Sequence, residues 1–193
     1  MFEEYLKCTK YVNFDAPEVK AKADELMKKS ANDILLIKNT YEFVRDEIKH
    51  SWDAQDPRVT VTASDVLREG VGICWAKANL LAALLRANNV PSGFSYQKLT
   101  LGDTPDTGYC IHAMNTVYVP SYAKWVRIDA RGNNENVHAE FSLEEEKLAF
   151  KVTSEGEMDF HNNLSEQPVT LMKVLEENDD ALDMYKYRLP DKI

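Results

Sequence analysis

Cysteine is scarce in this chain of 193 residues, and its number is odd: Cys8, Cys74 and Cys110. Three thiols do not make a disulfide framework, so a reducing compartment, the cytoplasm, is the expectation. Long apolar runs are lacking too, and no stretch is long enough to span a bilayer. The opening residues, Met1-Phe2-Glu3-Glu4-Tyr5-Leu6-Lys7, have neither the basic nor the apolar region of a secretory signal. Positive charge is in deficit: 23 Lys and Arg stand against 32 Asp and Glu, for a net charge of -9. That balance argues against nucleic acid or an anionic membrane as the main partner. Glycine and proline are few, seven of each, and they build no low-complexity linker. With no repeat and no boundary, residues 1–193 read as a single domain.

What is present suits a globular core, with 44% hydrophobic residues. Asp15-Ala16-Pro17-Glu18 has the pattern of a capping box and predicts a helix to about Lys29. Asn32-Asp33 offers a second cap, after which Ile34, Ile37, Tyr41, Val44 and Ile48 recur at helical spacing. Ser64 is expected to cap a short helix over Asp65–Arg68. From Cys74 to about Asn88 the chain is apolar nearly all round, which places that helix inside a fold. The period then changes. Residues 93–101, 111–119 and 124–130 read as strands, with Pro120-Ser121-Tyr122 as the turn between the last two. Residues 131–142 read as loop, 142–150 fit either helix or strand, and 151–168 are polar and turn-rich. Thr170 to Asn178 is a short helix and the rest a surface tail. Helices first and strands afterwards predict an α+β fold.

The chemistry gathers around Val71-Gly72-Ile73-Cys74-Trp75. A glycine turn delivers a cysteine to the first turn of the long apolar helix. Backbone N–H groups there have no helical partner, and their partial positive charge favours thiolate over thiol. The same groups can hold an oxyanion. Cys74 is therefore a candidate nucleophile; the plain alternative is a buried cysteine packing as a small hydrophobe.

Two further residues alter that balance. Side chains alternate along a strand, so His112, Met114, Thr116 and Tyr118 share one face, and Trp125, Arg127 and Asp129 share another. Setting residue 117 opposite 124 in an antiparallel pair brings His112 directly opposite Asp129. Any register of the same parity leaves them on one face. A carboxylate beside an imidazole fixes its tautomer and favours its protonated form. Taken singly, His112 is a satisfied histidine and Asp129 a residue of a strand end. Together, packed on the start of the Cys74 helix, they compose a Cys-His-Asp relay.

These stretches resemble a known family. Gly72-Ile73-Cys74-Trp75, with Leu84-Leu85-Arg86-Ala87 and Val90-Pro91, is similar to the cysteine motif of the transglutaminase-like superfamily. His112 with Val117-Tyr118-Val119 is similar to its histidine motif, and Trp125-Val126-Arg127-Ile128-Asp129 to its aspartate motif. The resemblance covers about residues 33–135, the core of the domain, and leaves a C-terminal helix and tail over about 168–193. It implies a papain-like α+β fold, with the cysteine at the start of a buried helix packed on an antiparallel sheet. It also implies Cys74, His112 and Asp129 as the catalytic residues of a cysteine protease or amidase, or of an acyl-transferring transglutaminase. Ala113-Met114-Asn115 departs from the family, many members of which carry an aromatic residue after the histidine.

An oxyanion hole needs two donors. The Cys74 N–H is one; Trp52, whose indole only donates, is a candidate for the second or a packing aromatic. Trp75 matches the family's aromatic after the cysteine; it joins Trp52 as an oxyanion or substrate candidate and otherwise packs. Cys74, Cys110 and His112 could be read as a zinc set, but His50, His138, His161 and Cys8 sit in unpatterned contexts and offer no evident fourth ligand. No metal and no cofactor are expected. Arg127 is either a contact for a substrate carboxylate or a surface charge. The partner expected is a peptide or amide, hydrolysed through a thioester at Cys74, with acyl transfer to an amine or a non-catalytic binding module as alternatives.

Overall fold

The computed structural model describes residues 2–102 and 104–193. The helix that the sequence marks out, α5 (Cys74–Ala87), is the axis of the fold. Twelve of its fourteen residues are buried, and around it gather α1 (Pro17–Lys28), α2 (Asp33–Glu42) and α4 (Ala63–Glu69). Four strands form an antiparallel sheet in the order β5-β4-β3-β6, with β3 at Ser92–Thr100, β4 at Tyr109–Val119, β5 at Lys124–Ile128 and β6 at Met158–Asp159. The arrangement is α+β: N-terminal helices packed on a curled four-stranded antiparallel sheet. Among the described residues no helix is long and apolar enough to cross a membrane.

The sheet meets α5 through one face. Ile111, Ala113 and Val117 belong to the same apolar core as Leu80, Leu81 and Leu84, and Asn115 Nδ2 donates to the Ala78 carbonyl at 3.0 Å. Arg86, fully buried near the end of α5, ties distant segments together by donating to the carbonyls of Ser92, Lys7 and Ser165. A separate parallel pair, β1 (Lys49–His50) and β2 (Val71–Gly72), sets His50 level with Gly72 just before α5. Gly72 is required there, because a Cβ would come within 2.9 Å of Thr60 Oγ1 and 3.2 Å of Ala76 Cβ.

Several local expectations change. Asp15 does not cap α1, which begins at Pro17 with no side-chain cap; Asp15 accepts from the Cys8 thiol instead. The capping box lies at α4, where Thr62 and Asp65 bond each other's backbone N–H, so this helix starts before Ser64. Asn32 does cap α2, accepting from Leu35 N at 2.9 Å. That helix ends at Glu42 in a π-helical turn over Phe43–Glu47 rather than continuing to Ile48. Residues 142–150 are irregular. The turn-rich stretch hides β6, and Leu164 makes an isolated bridge to Phe94. After α6 (Val169–Glu176) the chain does not trail off. Asp180 caps α7 (Ala181–Tyr187), which buries Ala181 and Met184 against the core.

Candidate active site

Cys74 opens α5 behind Ile73, which supplies no side-chain cap. The first N–H groups of a long buried helix are thus left without a capping acceptor at the cysteine. The helix start abuts β4 at the edge of the sheet. β5 pairs with β4 only from Asn115 onward, so at residue 111 that edge is unoccupied by a strand. The Trp75 indole N–H donates to the Ile111 carbonyl there at 2.8 Å, and the Ile111 N–H donates to the Pro190 carbonyl at 3.1 Å. Cys74 and His112 line one cleft of about 830 Å³. Cys74 stands among the groups that raise the His112 pKa.

His112 and Asp129 meet, but not in the expected register. Val117 faces Val126 and Val119 faces Lys124, two residues away from the register with 117 opposite 124. The cause is the connection: Pro120–Tyr122 forms a 3₁₀ turn, and Ala123 adopts the left-handed conformation at φ 50° before β5 starts. Both registers have the same parity, so the two side chains keep a common face and meet diagonally, within reach of long side chains. His112 Nε2 and Asp129 Oδ2 are 2.8 Å apart, with the ring 4% and the carboxylate 0% exposed. Asp129 lies just beyond β5, where Oδ2 also accepts from Ala149 N at 3.0 Å and Oδ1 from Arg131 N at 3.2 Å.

These contacts decide the charges. Burial alone would raise the Asp129 pKa, but the His112 charge and hydrogen bond, with the two backbone donors, outweigh it and lower the pKa. Burial alone would lower the His112 pKa; the Asp129 charge and hydrogen bond, then Cys74, outweigh it and raise the pKa. Both shifts favour an imidazolium held by a carboxylate. Phe150 packs against the ring in a T-shaped contact at 5.1 Å and 88°.

The remaining candidates are distributed differently. Trp75 is completely buried, and its indole N–H is engaged by Ile111, so it packs and cannot serve as an oxyanion donor or substrate contact through that group. Trp52, in α3 (Ser51–Ala54), lines the cleft and stacks on Tyr185 at 4.7 Å and 16°. Arg127 is held by Glu146 and Asp159, each at 2.6 Å, and faces a different pocket. Cys110 lines the cleft, but burial pushes its thiol up to about 12. Among the described residues no cluster of three or more His, Cys, Asp or Glu is arranged to hold a metal.

Three features of the site escape a reading of the sequence. His50 lines the cleft, and its only signal is a place in an unremarkable polar loop. Arg131 lines it too, in a bidentate pair with Asp53. Tyr185, Lys186, Tyr187 and Leu189 close one side, so the C-terminal segment is a wall of the cleft and not a surface tail.

The fold has counterparts among solved structures. A solved structure from Cytophaga hutchinsonii described as a "Putative Cysteine Protease" superposes with a TM-score of 0.54 at 20% identity, over 67% of this chain and 42% of that one. The periplasmic domain of TgpA from Pseudomonas aeruginosa gives 0.49 at 22% identity, over 65% and 45%. The chain thus spans less than half the length of these two structures. No curated protein matches it in sequence. The sequence profile of the transglutaminase-like superfamily core matches residues 20–130, a span that begins in α1 and ends just past Asp129. With more than half of its length inside that match, the chain belongs to the transglutaminase-like superfamily.

Proposed function

We propose that the protein is a cysteine hydrolase acting on an amide or peptide bond through a thioester at Cys74. The observation that carries this reading is the buried His112–Asp129 pair at 2.8 Å, opening on the same cleft as a cysteine at an uncapped helix start. A thiolate beside an imidazolium is the resting pair that such chemistry uses. The sulfur attacks the carbonyl carbon, and the carbonyl π electrons move to oxygen. The Cys74 N–H faces the resulting oxyanion. As the oxygen lone pair re-forms the carbonyl, the C–N bond breaks and His112 gives its proton to the leaving amine. Water then attacks the thioester and yields a proton to the now neutral His112, and the acid departs as the sulfur regains its electrons. Asp129 holds the ring in the right tautomer and stabilises its charged form.

Water is taken as the acceptor in this reading, with an amine as the alternative. A library of peptide amides, with and without an added primary amine, tests both halves of the reading. The expected products are free acids, formed by the wild type and not by Cys74→Ala. Amine adducts in place of acids would make it an acyltransferase, and a well-folded wild type that turns over nothing and never labels at Cys74 would leave a binding module.

A further inference from the structure

His50 stands in the cleft with no role in the steps above. It is the last residue of β1, paired level with Gly72, two positions before Cys74. Its side chain is 5% exposed, and Nδ1 is buried without a hydrogen-bond partner among the described residues. Burial, followed by the charges of Arg131, Lys77 and His112, lowers its pKa well below the ordinary value. The ring is therefore neutral, with one N–H donor and one acceptor nitrogen. An orphaned buried donor is the rarer and costlier state, so the proton belongs on Nε2 and the bare Nδ1 faces the unpaired side. Tyr185 meets the ring edge-on at 6.1 Å and 88°, fixing its plane. Its lowered pKa makes His50 a weak base, and Asp129, the carboxylate of the site, is engaged by His112.

We propose that His50 is the second oxyanion donor, its ring N–H acting beside the Cys74 backbone N–H. This rests on the acyl chemistry proposed above. Such a donor must be neutral, largely buried and without a competing partner in the resting protein; His50 is 5% exposed, and among the described residues no hydrogen bond occupies its ring. Trp52 is the weaker choice, because it lies past the β1–β2 pair, stacked flat on Tyr185.

The test compares two reactions of the same sulfur. Acylation of Cys74 by p-nitrophenyl acetate passes through an oxyanion: a C–S bond forms, the carbonyl electrons move to oxygen, and nitrophenolate leaves. Alkylation by iodoacetamide is a displacement at saturated carbon and forms no oxyanion. His50→Phe keeps a ring and removes the donor; His50→Gln keeps a donor. The nitrophenolate burst should slow by about 10²–10³-fold in His50→Phe, the range for losing one such donor, and recover in part in His50→Gln. Alkylation should change less than about threefold in both. An unchanged burst in folded His50→Phe, or alkylation falling in parallel with it, would overturn the assignment while leaving Cys74 as nucleophile. Absence of a burst in the wild type would remove the acyl chemistry and this inference together. Should His50→Phe fail to fold by near-ultraviolet circular dichroism, His50→Gln against His50→Leu gives the same contrast.

Discussion

At the scale of single residues, the three cysteines sit in three different settings. Burial raises the Cys110 thiol to about 12. Burial also raises that of Cys8, whose thiol donates to Asp15 at 3.1 Å. Cys74 stands at a helix start and shares the cleft with His112, whose pKa is raised. Limited iodoacetamide at mildly acidic pH should therefore modify Cys74 well before the other two, as read by peptide mass mapping; equal labelling of all three would contradict this. The relay also orders its own substitutions. Cys74→Ala should abolish turnover, because no thioester can form. His112→Ala should cost at least the ~10²–10⁴ typical of acid–base catalysis. Asp129→Asn should cost less than either, since a polar partner for the ring remains. Melting curves of each variant separate lost chemistry from lost folding. Stability carries a pH signature as well. Because the His112 pKa is raised, its contribution is complete below the ordinary 6.5 and fades as pH rises through the raised value. Because the Asp129 pKa is lowered, its contribution is complete above the ordinary 3.8 and fades as pH falls through the lowered value. Urea unfolding of wild type against His112→Gln should show its widest gap between those limits and a narrower one in alkali.

At the scale of elements, what the sequence reveals is what is local or periodic. α5 is legible because its apolar residues and its glycine turn are contiguous. The common face of His112 and Asp129 survives an error of two in register because strand parity has period two. The Ala149 N–H on Asp129 is not legible, because it depends on an irregular loop closing over a position twenty residues earlier. β6 is hidden for a similar reason: two residues gain a strand only by pairing with Gln97 and Lys98. His50 becomes a candidate only when the β1–β2 pairing sets it beside Gly72. That pairing is also the tightest point in the approach to Cys74. Gly72→Ala should destabilise the fold by about 1–3 kcal/mol, the range for overpacking, since Thr60 Oγ1 is itself fixed on the Val71 carbonyl at 2.9 Å. Arg86 is a second structural tie. Arg86→Met orphans the buried carbonyl of Ser92, a loss of about 1–3 kcal/mol, and removes the donors to the less buried carbonyls of Lys7 and Ser165. Its urea midpoint should fall further than that of any single truncation on the exposed face of α1.

At the scale of the molecule, the helix layer supplies the cysteine, the sheet supplies the histidine, the residue just past β5 supplies the aspartate behind it, and the C-terminal α7 walls the cleft that Cys74 and His112 share. Segments far apart in the chain thus converge on one cleft. That convergence is the claim most worth testing, and mass mapping of an acyl adduct tests it most directly. After brief exposure to p-nitrophenyl acetate at mildly acidic pH and an acid quench, the digested wild type should carry one acetyl group, on Cys74. His112→Ala should carry it far more slowly, and Cys74→Ala should carry none on either remaining cysteine. Acetylation spread evenly over Cys8, Cys74 and Cys110, or at Cys74 at the same rate in His112→Ala, would contradict the account.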